Sequence, residues 1–284
     1  MRTRINLLLL VAVGLVFSAG SAWADEPMLF AKPEMAVETL ENAVSQPNLE
    51  LFRQLFGADI DKLVTVNPEV RSAVMAKLSN LFDEGWSLSD AETGHRIVRV
   101  GQEGWAFPVP LVRGAEGWHF DTEAGIEEIQ NRTVGRNELM AIRAMRILSD
   151  AQEAYRMKDY DGDGTQGYAG KIISDPGTKN GLYWSETRDD VSPLQLLLRN
   201  SDAFAQAAND NGVWNGYNFK LGGGGDRYIL IAYPEKYGET GVMSFFLTSP
   251  DGLYEADLGL GGVPTGWEDI SVKGEDWTLV DGGY

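Results

Sequence analysis

The sequence predicts an α+β protein in two parts: helices followed by a small antiparallel sheet, then a long helix packed on a second antiparallel sheet. Three features carry that prediction. Apolar residues recur at three-to-four spacing from Val37 to Leu81, and again from Ala141 to Tyr155. Each stretch gives way to short apolar runs separated by glycine-containing turns. Helices and strands come in blocks rather than in strict alternation, which favours segregated α+β layers over a parallel α/β sheet.

Taken in order, Pro33 suits a first helical turn, and Val37, Leu40 and Val44 follow on one face. A second short helix carries Leu51, Phe52, Leu55 and Phe56. A third starts at Pro68, with Val70, Val74, Leu78 and Leu81 as its apolar stripe. Strands are expected at 95–101, 105–113 and 117–121, with turns at 103–104 and 114–117. Pro108 and Pro110 would each remove a ladder donor, so the middle strand is expected at an edge or with a bulge. Three helices and a meander suggest, by analogy alone, a cone like that of nuclear transport factor 2.

Residues 123–131 read as a short acidic helix and Gly135-Arg136-Asn137 as a break, with Asn137 placed to cap the next helix. That long helix carries Ala141, Ala144, Leu148, Ala151 and Tyr155, and must end at 159–164. A further helix from Ser192 covers 194–208. Strands are expected at 217–221, 227–233, 242–248 and 253–258. The Gly222–Gly225 run is read as the turn between the first two, and Asp251-Gly252 as another. This half has the outline of a pilin globular domain, again an analogy of fold. Residues 25–132 are thus assigned to an N-terminal subdomain and 133–284 to a C-terminal one.

Composition narrows the function. Across 284 residues, 42 Asp and Glu oppose 24 Lys and Arg, for a formal charge of -18. A nucleic-acid partner is not expected from a surface of that sign, because phosphate contacts need basic groups. The absence of cysteine excludes disulfides, thiolate metal sites and a cysteine nucleophile. Arg2 and Arg4, the apolar stretch from Leu7 to Phe17 and Ala22-Trp23-Ala24 form the pattern of a secretory signal, with cleavage expected after Ala24. That apolar stretch is too short for a bilayer core of about 30 Å, which needs roughly 20 helical residues. The mature protein is therefore expected in the periplasm or outside the cell, without direct membrane insertion.

The sharpest local pattern is Asp159-x-Asp161-x-Asp163-Gly164. Three carboxylates at alternate positions in a tight turn can converge on one hard cation, and glycine permits the bend. Calcium suits such a loop, since it accepts six to eight oxygens in loose geometry. The candidate ligands are Asp159, Asp161, Asp163 and Thr165, with Gly167, Asp150, Glu153 or Asp175 as further oxygen sources. The pattern is not a full EF-hand, because the twelfth position falls on Gly170 where a bidentate Glu is required. A solvated helix-ending turn is the competing reading, since Asp and Gly favour turns for local reasons.

Other chemistry is thin. His95 and His119 are the two histidines, and neither sits near a nucleophile motif. No G-x-S-x-G, H-E-x-x-H or P-loop occurs. Pairs such as Glu127 with Glu138, or Asp189 with Asp190, could act as acid and base on a glycan, though acids this numerous make that pattern unspecific. Trp105, Trp118, Trp184, Trp214 and Trp267 could form stacking platforms for sugars or peptides. Aromatic side chains fill cores more often than they bind ligands, and no spacing here places the rings on one face.

Longer stretches carry a resemblance. They are Phe30-x-x-Pro33-Glu34-x-Ala36-Val37, Trp105-x-Phe107-Pro108-x-Pro110-Leu111-Val112, Trp118-x-Phe120-Asp121 and Gly135-Arg136-Asn137-Glu138-Leu139. To these add Asp161-Gly162-Asp163-Gly164, Gly181-Leu182-Tyr183-Trp184 and Tyr233-Pro234-x-x-Tyr237-Gly238-x-x-Gly241-Val242-Met243-x-Phe245. Over nearly the whole mature chain the sequence resembles the bacterial domain-of-unknown-function 2950 family. The resemblance implies an exported bacterial protein and supplies no activity or catalytic residues. The Gly222–Gly225 hairpin is shorter than the resemblance leads one to expect, so no ligand site is carried over to that loop. The functional expectation is a non-enzymatic cell-envelope protein that binds a protein or glycan partner, with a structural calcium site. The alternative is an envelope glycan or peptidoglycan hydrolase using paired carboxylates.

Overall fold

Asn48 and Asn67 each start a helix by accepting two backbone N–H groups on the side-chain oxygen. Asn48 takes those of Glu50 and Leu51 at 3.0 and 3.3 Å, and Asn67 those of Glu69 and Val70 at 3.0 and 3.2 Å. Short polar caps of this kind satisfy N–H groups that have no partner inside the helix. They open α2 (Leu49–Phe56) and α4 (Pro68–Asp83), which join α1 (Pro33–Ser45) and the single-turn α3 (Ile60–Leu63). The computed structural model describes residues 26–63, 67–91, 94–185, 191–197, 213–249, 252–263, 266–267 and 276–280. The expected signal segment lies outside them. The architecture is α+β, and the chain separates into two compact units, one ending at Glu128 and the other starting at Ile129.

In the first unit, α1 buries Ala36, Val37, Leu40, Ala43 and Val44, and α2 buries Phe52, Leu55 and Phe56. The stripe on α4 is only partly used: Leu78 and Phe82 are buried, while Val70 and Val74 stay about half exposed. These helices pack with a sheet of β1 (Trp86–Asp90), β2 (Arg96–Val100), β3 (Trp105–Ala106), β4 (Leu111–Arg113) and β5 (Trp118–Phe120). Its order is β1-β2-β4-β5, with β3 also paired to β2. The prolines do not place one strand at an edge; they divide it, and β4 lies between β2 and β5. The gap holds Phe107, whose ring lies 6.3 Å from Phe56 and 6.1 Å from Phe120 in the core.

The expected break at 135–137 is absent. One helix, α5 (Thr122–Arg156), runs for 35 residues, about 52 Å at 1.5 Å per residue. Asp121 starts it by accepting the N–H of Ala124 at 3.0 Å. A Cβ on Gly135 would meet nothing within 4 Å, so this glycine only lowers propensity by about 1 kcal/mol and does not end the helix. Asn137 therefore caps nothing: it sits mid-helix and donates Nδ2 to the carbonyl of Thr240 at 2.9 Å.

The second unit holds a six-stranded antiparallel sheet in the order β13-β12-β11-β10-β9-β8. Its strands are β8 (Val213–Trp214), β9 (Tyr217–Gly224), β10 (Arg227–Pro234), β11 (Met243–Thr248), β12 (Gly252–Asp257) and β13 (Thr278–Leu279). Tyr228, Leu230 and Ala232 share a core with Ala144, Met145, Leu148, Ala151 and Tyr155 of α5. The alternate residues Ile229 and Ile231 join Phe246 and Trp267 in a second cluster, as the two-residue period of a strand requires. A parallel pair, β6 (Lys171–Ile173) and β7 (Gly181–Tyr183), completes the unit together with α6 (Pro193–Leu197). The rest of the expected helix over 194–208 lies outside the described residues. The glycine run is not a loop: Gly222, Gly223 and Gly224 are strand residues opposite Ile229, Tyr228 and Arg227.

Candidate metal centre

The helix α5 ends at Arg156, and the chain turns through 159–165 before returning to the sheet. Asp159 organises that turn. Its carboxylate accepts the N–H of Gly162 at 2.7 Å and that of Gly164 at 3.0 Å, and both glycines have positive φ (76° and 90°). A side chain at either position would strain the backbone, which explains the two glycines. Asp163 accepts both the N–H and the hydroxyl of Thr165 on one oxygen, each at 2.7 Å. Asp159, Asp161 and Asp163 each present a carboxylate oxygen within 4.8 Å of the others. The sequence-predicted carboxylates are thus brought together. Thr165 joins the cluster through Asp163.

Electrostatics follow this geometry. The hydrogen bonds from Thr165 hold the Asp163 carboxyl below its ordinary range, because they favour its charged form. Tyr155, on the last turn of α5, is pushed the other way, first by burial and then by the negative charge of Asp161. Its hydroxyl donates to the carbonyl of Lys179 at 2.7 Å. Tyr155 stacks on Tyr160 at 5.3 Å, and Tyr160 in turn contacts Trp184 at 5.3 Å. A cleft of about 40 Å³, lined in part by Asp161, Asp163, Tyr155 and Gly225, lies against the loop. That space suits an ion or a water, and not an organic ligand.

The far side of the loop is fixed by glycine contacts that the sequence reading missed. Tyr168 and Gly225 exchange backbone hydrogen bonds at 2.8 and 3.1 Å. A Cβ on Gly167 would come within 3.0 Å of Gly225 Cα, and one on Gly170 within 3.2 Å of the Gly223 carbonyl. Two glycines spaced three apart after the acidic turn, with a glycine run downstream, were the available signal for this close approach. Of the further oxygen sources, Gly167 lines the cleft, while two others are engaged by basic side chains. Asp175 is bound by Lys171 at 2.6 Å, which with Asn180 holds its carboxyl low. Glu153 pairs with Arg156 at 3.1 Å and accepts the Tyr168 hydroxyl at 2.9 Å.

One residue proposed for catalysis, Glu138, is placed as a structural part. Glu138 accepts the N–H groups of Val242 and Met243, both at 3.0 Å; Asp189 and Asp190 lie outside the described residues. His119 lines a cleft of about 280 Å³ beside Asp59, Asp121 and Glu123. Asp59 is paired with Lys62 at 2.9 Å, and Asp121 caps α5. Among the tryptophans singled out, Trp184 and Trp267 are buried, Trp118 and Trp214 pack on the two cores, and Trp105 is 44% exposed.

These features define an α+β protein of two units, with a carboxylate-lined turn at the end of a long helix. The chain belongs to the DUF2950 family, described as a protein of unknown function, whose model matches residues 28–265. No curated protein and no solved structure matches it. Among the described residues, no helix is long and apolar enough to cross a membrane.

Proposed function

We propose that this is an exported, non-enzymatic cell-envelope protein that binds a protein or glycan partner, and that Asp159, Asp161, Asp163 and Thr165 hold a structural calcium ion. The observation that carries the ion is the approach of three carboxylates within 4.8 Å. Such a cluster repels itself, and a divalent cation turns that repulsion into attraction. The loop joins the end of α5 to the Tyr168–Gly225 bridge, so an ion there would brace the helix against the sheet of the second unit. The Asp159 bonds to Gly162 and Gly164 also fold the turn without metal, so calcium would stiffen an existing loop.

The export reading rests on the pattern around Arg2, Arg4 and Ala22-Trp23-Ala24. A hydrolase would need two carboxylates about 5–9.5 Å apart across a cleft. Of the pairs proposed with it, Asp189 and Asp190 lie outside the described residues, and Glu138, proposed with Glu127, instead ties down two backbone N–H groups. The test of the ion is thermal unfolding of residues 25–284 in EDTA and in millimolar calcium. Calcium at 100 times its dissociation constant stabilises by about 2.7 kcal/mol, a rise of roughly 5–10 °C at this size. The double variant Asp161→Ala, Asp163→Ala is expected to lose that rise. An equal melting temperature with and without calcium in the unmodified chain would refute the site.

A further inference from the structure

A second site lies in the first unit. A groove opens where the end of α1 and the start of α2 meet α4, with a volume of about 470 Å³. Small-molecule sites span about 300–1,000 Å³ and combine an apolar lining with a few polar groups. Val44, Phe52 and Met75 supply the apolar lining, and Leu49, 53% exposed, stands at the rim. Although the chain carries 42 acids, none among the described residues lines this groove. The charged group that does is Arg71, half-buried on α4. Among the described residues no carboxylate pairs with it. A partly desolvated guanidinium with no counter-charge favours an incoming anion, and its fork matches a carboxylate in a two-point contact.

We propose that this groove binds a single-chain anionic amphiphile, with its aliphatic tail on Val44, Phe52 and Met75 and its carboxylate on Arg71. The finite volume limits the tail, so affinity climbs with chain length and then levels off. The charge sets the sign of the head group. This site is independent of calcium and of the binding role proposed above.

The test is displacement of 1-anilinonaphthalene-8-sulfonate from the purified protein by hexanoate, octanoate, decanoate and decyltrimethylammonium, all below micelle formation. Saturable binding of the carboxylates is expected, strengthening about fourfold per added methylene up to the length the groove holds. Decyltrimethylammonium is expected to compete at least tenfold less well than decanoate. Arg71→Gln should weaken decanoate about tenfold. Ala76→Phe, which adds a ring at an exposed position lining the groove, should abolish binding. Each variant is checked for an unchanged melting temperature. If Ala76→Phe does not fold, Arg71→Gln and the ammonium comparison still decide. The proposal fails if millimolar decanoate does not displace the dye, if the cation competes as well as the carboxylate, or if Arg71→Gln leaves decanoate affinity unchanged.

Discussion

Tyr168 and Gly225 are joined by a two-way backbone bridge: the Tyr168 N–H reaches the Gly225 carbonyl at 2.8 Å, and the Gly225 N–H returns to the Tyr168 carbonyl at 3.1 Å. The bridge fastens the segment leaving the acidic loop to the turn between β9 and β10. It exists because Gly167, Gly170 and the 222–225 run carry no side chains to hold the two strands of chain apart.

Gly223→Ala should therefore be costly. Its φ is +89°, and a Cβ there would meet the Arg227 carbonyl oxygen at 2.7 Å. Backbone strain of this kind costs about 1–3 kcal/mol, and the clash adds to it. Urea unfolding would show the loss as a lower midpoint with an unchanged slope.

Gly135→Ala should do the reverse. The residue lies inside α5 with open space around its missing Cβ. Removing the glycine penalty should stabilise the protein by about 1 kcal/mol, read as a higher midpoint in the same titration.

Glu138→Ala should destabilise more than Glu138→Gln. The carboxylate serves two N–H groups at the entry to β11, and charged hydrogen bonds contribute about 1.5–3 kcal/mol. Glutamine keeps an acceptor, whereas alanine leaves both donors without one. Equal loss in the two variants would mean that the glutamine amide oxygen does not replace the carboxylate as acceptor of the two N–H groups.

Alkaline pH should unfold the second unit through its buried tyrosines. Burial, then the nearby Glu138 charge, pushes the Tyr217 phenol up; Tyr155 and Tyr228 are also raised, first by burial. The folded state thus keeps protons that the unfolded chain releases from about pH 10. Stability is full below that value and falls as pH rises toward the folded pKa. Tyr217→Phe should lose about 1 kcal/mol at neutral pH, with the bond to the Met243 carbonyl. It should then decline less steeply than the unmodified protein above pH 10.

The α+β class was legible because long helical periodicity and short alternating runs are strong local signals. Boundaries were less so. Gly135-Arg136-Asn137 reads locally as a stop, but Asn137 and Glu138 find partners on residues 240–243, more than a hundred positions away. The Gly222–Gly225 run reads as a loop, and its strand character comes from pairing with β10 and from the close approach of Gly170. The alternation of Trp86-Ser87-Leu88-Ser89 was there to be read as β1. Of the site, the spacing of Asp159, Asp161 and Asp163 disclosed the convergence of carboxylates. Its attachment through Tyr168 and Gly225 depends on a contact that no local pattern encodes.

The most direct test of the account is isothermal titration of calcium into the purified protein, beside an Asp161→Asn, Asp163→Asn variant, at pH 7 and at pH 3. One site per chain is expected at pH 7, absent in the variant. At pH 3 it should be weaker, since protons compete with the metal for the carboxylate ligands, although the hydrogen bonds from Thr165 hold the Asp163 carboxyl below its ordinary range. A flat titration of the unmodified chain at pH 7, or one unchanged in the variant, would contradict the calcium assignment.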